Sequence, residues 1–167
     1  MRAETMKIVV DAGQPFNIRQ KLQQLGCEVE VEDTCGKGGH YILDNGKTSI
    51  ERERVHEFFV NITHQHSPGD TVLNIYDHLA KIKKNYETAI LLIEGENPTW
   101  EDEETIVIER KRFSIHKHTM LGTLMGVMVW CTRHKVRVVH TRDMDETARL
   151  ICALAKKPAK PRKVVPR

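Results

Sequence analysis

Two carboxylates and an imidazole lie close together in the sequence on either side of a turn. Glu51 and Glu53 are two residues apart in a stretch of strand character, so both side chains point to one face of a sheet. His40 precedes the turn and reaches the same face if the strand register allows it. Carboxylates and imidazole at a strand end can bind a hard or borderline divalent cation. The alternative is a hairpin whose outer face is only charged and solvated.

The elements that would position these groups are a β-hairpin and the helix that follows it. The segment 44–47 reads D-N-G-K, and Asn-Gly accepts the positive φ angles of a tight hairpin turn. The residues on either side, 41–43 and 48–50, have the apolar character of strands. After Arg52, apolar residues recur at spacings of three and four, as on one face of a helix. The sequence therefore predicts a strand pair that leads directly into an amphipathic helix.

The remaining chain alternates short apolar runs with amphipathic stretches. A β-branched run ends at Asp11, which is typical of a buried strand that carries a carboxylate at its end. The order β-α-β-β-β-α-α-β-α-β-α over residues 1–155 predicts an α/β domain with a mixed central sheet flanked by helices on both faces. Functional sites of such folds gather at strand ends, so Asp11, His40 and Glu51 are expected to meet.

Length and composition restrict the class of protein. A chain of 167 residues is large enough for one domain with its own core. No run approaches the roughly 18 apolar residues of a transmembrane helix, and there is no secretory signal, so we expect an intracellular protein without a membrane partner. The four cysteines form no C-x-x-C pair and are expected to be free thiols.

The net charge of +3 conceals an asymmetry between the domain and its C-terminus. Residues 156–167 carry six cations and no acid, so residues 1–155 are slightly acidic. This Pro-containing tail is expected to be disordered and suited to contact with a phosphate backbone.

The order of the motifs resembles the XPF-type structure-specific DNA endonucleases. That family includes the archaeal Hef nucleases and belongs to the PD-(D/E)XK superfamily, whose restriction-endonuclease-like fold is then expected here. Its motifs are a strand ending V-V-D, then G-D-Y-I-L, then V-E-R-K-x-x-x-D. This chain has V-V-D at 9–11, G-H-Y-I-L at 39–43, I-E-R-E at 50–53 and L-L-I-E at 91–94. The resemblance extends over residues 7–155.

The resemblance implies a metal-dependent endonuclease that acts on branched or flapped DNA. At the matching positions, Asp11, His40 and Glu51 would hold one or two Mg²⁺ or Mn²⁺ ions. Glu53 would be a further ligand or would orient the attacking water. Glu57, one helical turn after Glu53, would hold a metal ligand in place without binding the ion itself.

Cations are the second group of residues that the resemblance assigns. Arg52 would contact phosphate or brace the helix. Because the family's lysine is replaced by Glu53, Lys47 or Arg54 would supply the missing positive charge. The tail would add contacts to the DNA backbone through Lys156, Lys157, Lys160, Arg162 and Lys163.

The departures from the family's motifs keep a second function open. His40 and Glu57 stand where the family has aspartates, and Glu53 stands where it has lysine. These changes preserve metal-binding groups but remove the cation beside them. The alternative is a catalytically inactive XPF-type DNA-binding or dimerisation module that serves an active partner.

Self-association is expected at the C-terminal helices. Residues 121–130 carry more apolar bulk than one helix can bury against one sheet face, and Gly122 and Gly126 permit close approach of a neighbour. Members of the family pair through this end of the domain, which implies a homodimer or a heterodimer. The alternative is a helix at the centre of a monomer core.

A second stretch, 109–111, spells E-R-K letter for letter. It follows the L-L-I-E run instead of preceding it, and no G-D-Y hairpin leads into it. We therefore expect an exposed charged strand or the start of a helix at this position.

Overall fold

The computed structural model describes residues 6–34, 36–43, 46–63 and 75–156. The strands of this part of the chain are β1 (Lys7–Asp11), β2 (Glu28–Glu32), β3 (Tyr41–Leu43), β4 (Thr48–Arg54), β5 (Thr88–Glu94), β6 (Thr99–Trp100), β7 (Thr105–Ile108), β8 (Lys111–Ser114) and β9 (Val136–Thr141). The helices are α1 (Phe16–Gln24), α2 (Val55–Thr63), α3 (Ile75–Asn85), α4 (Lys117–Arg133) and α5 (Met144–Ala155).

A six-stranded mixed sheet forms the centre of the fold, in the order β2-β1-β3-β4-β5-β9. β3 is antiparallel to both of its neighbours, while β4, β5 and β9 are parallel to one another and β1 is parallel to β2. The carboxyl ends of β1, β4, β5 and β9 therefore lie at one edge of the sheet. The predicted α/β class and mixed central sheet are confirmed.

Helices cover both faces of this sheet, as predicted. Ile8 and Val10 of β1 point toward α1 and α5, and their cluster includes Leu92 of β5. Leu91 and Ile93 of β5 point to the other face, where α2, α3 and α4 contribute apolar side chains. Because β5 is covered on both faces, its sequence is a continuous apolar run instead of an alternating one.

The central hairpin has the predicted register. Tyr41 of β3 pairs with Ile50 of β4, and Leu43 pairs with Thr48. Asp44 and Asn45 of the predicted turn lie outside the described residues. Just before β3, Gly39 has φ +90°, and a Cβ there would come within 1.9 Å of the Ser49 hydroxyl. Only glycine fits at this position before the strand.

A second, three-stranded sheet (β6-β7-β8) is absent from the predicted element order. β7 and β8 pair antiparallel through a two-residue turn at Glu109 and Arg110, with φ angles of 49° and 66°. The turn lacks the Asn-Gly pair that would have revealed it. Lys111 does begin an exposed strand, as expected for the E-R-K stretch.

The expectation that all cysteines are free thiols is wrong for one pair. Cys27 and Cys152 form a disulfide whose Cα atoms are 6.8 Å apart, and it links the residue before β2 to α5. The two residues are 125 positions apart in the sequence. No local motif could therefore have signalled their contact. Cys131 is a buried free thiol.

No helix in the described ranges is both long and apolar enough to cross a lipid bilayer.

Candidate active site

Three residues predicted from the sequence line one shallow cavity at the carboxyl edge of the sheet. Asp11 ends β1, His40 precedes β3, and Glu51 lies within β4. The cavity has a volume of about 220 Å³ and is lined by Asp11, Thr34, Gly38, Gly39, His40, Glu51, His78 and Lys81.

The His40 ring is oriented by the backbone of β4. The N–H of Arg52 donates to Nδ1 of His40 over 3.0 Å. A ring nitrogen that accepts a hydrogen bond carries no proton, so the neutral ring has its proton on Nε2. That nitrogen lies 3.7 Å from Oε1 of Glu51. In this state His40 presents a proton, and not a lone pair, to the cavity.

Asp11 is held as an anion by the loop that follows β2. Its Oδ1 accepts hydrogen bonds from the backbone N–H and the hydroxyl of Thr34, and its Oδ2 accepts one from the N–H of Gly13. Partial burial alone would raise the pKa of Asp11, but these hydrogen bonds outweigh it and keep the pKa below its ordinary value. Asp11 is therefore ionised at neutral pH.

Glu51 is only 2% exposed, yet it lies between two imidazoles. Besides His40, Nδ1 of His78 lies 3.6 Å from Glu51 Oε1. The nearby Glu51 carboxylate raises the pKa of His78, against the opposing effect of burial. A buried carboxylate needs such partners, because burying an unpaired charge is costly.

His78 and Lys81 are functional candidates that the sequence reasoning missed. Both lie on α3 and are three residues apart, so they share one face of the helix. Ile75, Leu79 and Ile82 form the buried stripe of α3. The sequence does indicate that these two polar residues flank the buried stripe of α3. It cannot indicate which part of the sheet α3 packs against, and so it cannot place them at the cavity.

Glu53 occupies the position of the family's lysine. Burial, together with the nearby charges of Glu51 and Glu57, raises the pKa of Glu53 to about 7. Its carboxyl group therefore keeps a proton to a higher pH than an ordinary glutamate does. Glu57 itself is exposed in the first turn of α2.

Arg52 lies on the opposite face of the sheet from Glu51. Its guanidinium donates to both carboxylate oxygens of Glu94, over 2.6 and 2.9 Å, and is almost completely buried. Glu94 also accepts a hydrogen bond from the Thr147 hydroxyl over 2.6 Å. The Arg52 side chain therefore links β4 to β5 and α5 and does not enter the cavity.

The predicted DNA-binding cations are dispersed. Lys47 is exposed near the start of β4, and Lys156 is exposed just after α5. Arg54 donates to Glu109 over 3.0 Å. Lys157, Lys160, Arg162 and Lys163 lie outside the described residues.

The donor set fits a sparsely coordinated divalent ion. No group of three His, Cys, Asp or Glu side chains forms a ready-made metal cage in the part of the chain that the structure describes. Mg²⁺ commonly needs no such cage, because it keeps several waters and binds one or two carboxylates together with substrate phosphates. Asp11 and Glu51 supply two carboxylates around one cavity. His40 adds a lone pair only if its hydrogen bond from Arg52 is broken.

Cavity size does not identify the site. A larger cavity of about 690 Å³ lies between β1, β2 and the end of α3. Its lining includes Lys7, Val9 and Tyr86 but none of the predicted catalytic residues.

The sequence profile of the ERCC4 domain matches residues 10–154, most of the chain. The chain belongs to the ERCC4 domain family. This assignment confirms the XPF-type resemblance that the motifs indicated. No curated protein has a sequence that matches the chain.

Solved structures of this family have the same fold. XPF from Aeropyrum pernix superimposes with a TM-score of 0.67 at 17% identity over 89% of this chain and 63% of that chain. XPF from Aeropyrum pernix in complex with DNA gives a TM-score of 0.66 at 17% identity, over 89% and 62%. The chain thus spans less than two thirds of the length of these structures, and at this identity the likeness shows the fold alone.

Proposed function

We propose that this ERCC4-domain protein is a divalent-metal-dependent endonuclease that hydrolyses phosphodiester bonds in branched or flapped DNA. The observation that supports this function best is the single cavity lined by Asp11, His40 and Glu51. One of the similar structures is an archaeal XPF in complex with DNA, which supports DNA as the substrate. A DNA substrate also favours an intracellular location.

Asp11 and Glu51 would hold Mg²⁺ or Mn²⁺ through their carboxylates. Bound there, the ion would lower the pKa of a water molecule and stabilise charge on the scissile phosphate. His40 places its Nε2 3.7 Å from Glu51 Oε1 and would join as a ligand only with a changed tautomer. Imidazole ligation favours Mn²⁺ over Mg²⁺, so a preference for Mn²⁺ would indicate that His40 binds the ion.

Lys81 is the residue best placed to replace the family's lysine. It lines the same cavity as Asp11 and Glu51, whereas neither Arg54 nor Lys47 lines that cavity. We assign to Lys81 the contact with the phosphate oxygen beside the cleaved bond. A lysine ammonium acts there as a point charge.

The second candidate is a catalytically inactive module that binds DNA or a partner subunit. Glu53 favours it, because a carboxyl group with a pKa of about 7 cannot supply the positive charge of the lysine it replaces. Only the endonuclease cleaves the DNA that it binds, and this property separates the two functions.

Incubation of the protein with labelled fork, flap and four-way-junction DNA tests the proposal. Cleavage in Mg²⁺ or Mn²⁺ that stops in EDTA is the expected result. Binding of these DNAs without cleavage in either ion would favour the inactive module. Failure to bind any of them would contradict the endonuclease and leave only a module that binds a partner subunit.

We also propose that α4 mediates dimerisation with a second copy. Leu121, Met125 and Val129 recur every four residues along this helix and are 45%, 67% and 43% exposed. A Cβ at Gly122 would meet no atom of the described chain within 4 Å, so a neighbouring helix can approach closely there. These residues leave α4 with an apolar outer surface, which a helix at the centre of a monomer core would not have.

Light scattering decides the oligomeric state. We expect twice the monomer mass of 19.3 kDa for the wild type and the monomer mass for Met125→Glu. The control is Phe16→Glu, which removes an equally exposed apolar side chain from α1 and should remain dimeric. A wild-type mass near the monomer value would refute a homodimer and leave a heterodimer as the form to test.

A further inference from the structure

The turn between β7 and β8 is held in a backbone conformation that its residues disfavour. Glu109 and Arg110 have φ angles of 49° and 66°, and both carry a Cβ. Hairpin turns of this kind usually contain Asn and Gly, because side chains make the left-handed region unfavourable. Such strain persists where the surrounding structure fixes it, and it is concentrated at functional sites.

The surroundings of the turn fix it in place. The Glu109 carboxylate accepts a hydrogen bond from Arg54 at the end of β4, and its other oxygen lies 3.4 Å from where a Cβ on Gly95 would be. The Phe113 ring of β8 contacts His56 of α2, with centroids 5.2 Å apart. The tip of the hairpin is therefore attached to the carboxyl edge of the central sheet.

Two positive charges project from this anchored tip. Arg110 and Lys111 are exposed, and neither side chain has a hydrogen-bond or ion-pair partner among the described residues. Arg112 differs, because Glu101 binds its guanidinium through both oxygens. The acidic residues 101–104 lie at the other end of the hairpin. Unpaired positive charge is therefore found at the tip, and negative charge at the opposite end.

The tip lies at the same edge of the central sheet as the candidate active site. Arg54, to which Glu109 is attached, is three residues beyond Glu51 on the same strand, or about 10 Å at roughly 3.3 Å per residue. A duplex bound across this edge would have to contact both the cavity and the tip to use the two sites together. Because the backbone of the tip is already fixed, binding a phosphate there costs the side-chain freedom of the two cations but no ordering of the loop.

We propose that Arg110 and Lys111 form a second phosphate-binding site for duplex DNA, next to the cavity of Asp11 and Glu51. This inference rests on the proposed DNA function and adds the contact that positions the duplex on the domain. The contact is to the backbone and carries no sequence preference.

The test is the salt dependence of binding to a labelled duplex, measured by fluorescence anisotropy on the full chain. The variant Arg110→Gly/Lys111→Thr removes both cations while supplying a glycine that adopts the positive φ freely. The log–log salt slope should decrease by about 0.9 for each phosphate that the variant no longer binds. Its melting temperature should equal or exceed that of the wild type, because the strained residue is replaced.

A matched control removes two cations from the opposite edge of the sheet. Lys83→Ala/Lys84→Ala changes the end of α3, and its salt slope should match that of the wild type. An unchanged slope in the hairpin variant, or an equal decrease in the control, would overturn the hairpin site while leaving DNA binding intact. A wild-type chain that binds no duplex would overturn the hairpin site together with the proposed DNA function.

Discussion

Two stretches of this chain have almost the same sequence and entirely different surroundings. Glu51-Arg52-Glu53 lies in a central strand, where Glu51 is 2% and Arg52 is 7% exposed. Glu109-Arg110-Lys111 forms a hairpin turn and the start of an edge strand, where Arg110 and Lys111 are exposed. The stretch that reproduces the E-R-K motif letter for letter is the one outside the cavity.

The difference shows that strand geometry assigns the roles of these residues. In β4, alternation sends Glu51 into the cavity and its neighbour Arg52 into the core beside Glu94. In the β7–β8 turn, neighbouring side chains are not sent to opposite faces of a sheet in this way. Arg110 and Lys111 both project from the tip. A motif therefore carries its chemistry only together with the strand that separates its side chains.

The largest expected effect distinguishes the two arginines. Arg52→Met should lower the free energy of unfolding by about 3–5 kcal/mol, because it leaves the Glu94 carboxylate buried without its partner. Arg110→Met should change it by less than about 0.5 kcal/mol, as is usual at an exposed position. Urea denaturation measures both values. Equal stabilities of the two variants would contradict the contrast between the stretches.

The next effect distinguishes the two glutamates by activity. Glu51→Gln keeps the shape of the side chain but removes the charge, and cleavage of flap DNA should fall at least about 100-fold. With protein in saturating excess over DNA, Glu109→Gln should cleave at the wild-type rate, because Glu109 contacts Arg54 and not the cavity. Rates under single-turnover conditions check this prediction. Undiminished cleavage by Glu51→Gln would remove Glu51 from the site.

A smaller effect concerns Glu53 and depends on pH. Its pKa is about 7 in the folded chain, against an ordinary value of 4.5. The folded state thus binds the extra proton between these values, so stability decreases as the pH rises through that window and remains lower above it. Glu53→Gln should therefore stabilise the chain by about 1–3 kcal/mol at pH 8 and by nothing below pH 4.5. Denaturation in EDTA at both pH values measures the difference, and equal effects at the two would contradict the raised pKa.

The smallest expected effect is on DNA binding by the cations of the C-terminal tail. Deletion of residues 156–167 removes six cations and should flatten the salt dependence of duplex binding by about 0.9 for each phosphate that the tail binds. The melting temperature should stay unchanged, because the deletion begins after α5. A salt slope equal to that of the full chain would show that the tail does not touch DNA.

The sequence predicts those parts of the fold that local rules determine. The spacing of apolar residues and the Asn-Gly turn locate the β3–β4 hairpin and α2. The alternation of side chains along β4 places Glu51 and Glu53 on one face of the sheet. The meeting of Asp11, His40 and Glu51 follows from the rule that strand ends share an edge of the sheet. The same alternation points Arg52, between Glu51 and Glu53, to the opposite face. Only the family resemblance assigns Arg52 to the site.

The remaining features depend on contacts that no local pattern contains. His78 and Lys81 reach the cavity because α3 packs on the sheet at one particular angle. The hairpin tip is fixed by the contact of Glu109 with Arg54, which is 55 residues away in the sequence. The contact of Cys27 with Cys152 depends on the packing of α5 at the edge of the sheet.

Binding of Mn²⁺ tests the central claim. The claim is that Asp11 and Glu51 hold the catalytic ion and that the stretch Glu109-Arg110-Lys111 does not. Free Mn²⁺ is quantified by electron paramagnetic resonance as each protein is titrated with the ion. The wild type and Glu109→Gln should bind the ion with equal affinity, and Asp11→Asn and Glu51→Gln should each lose that binding. Wild-type affinity in Glu51→Gln, or weakened binding only in Glu109→Gln, would contradict the account.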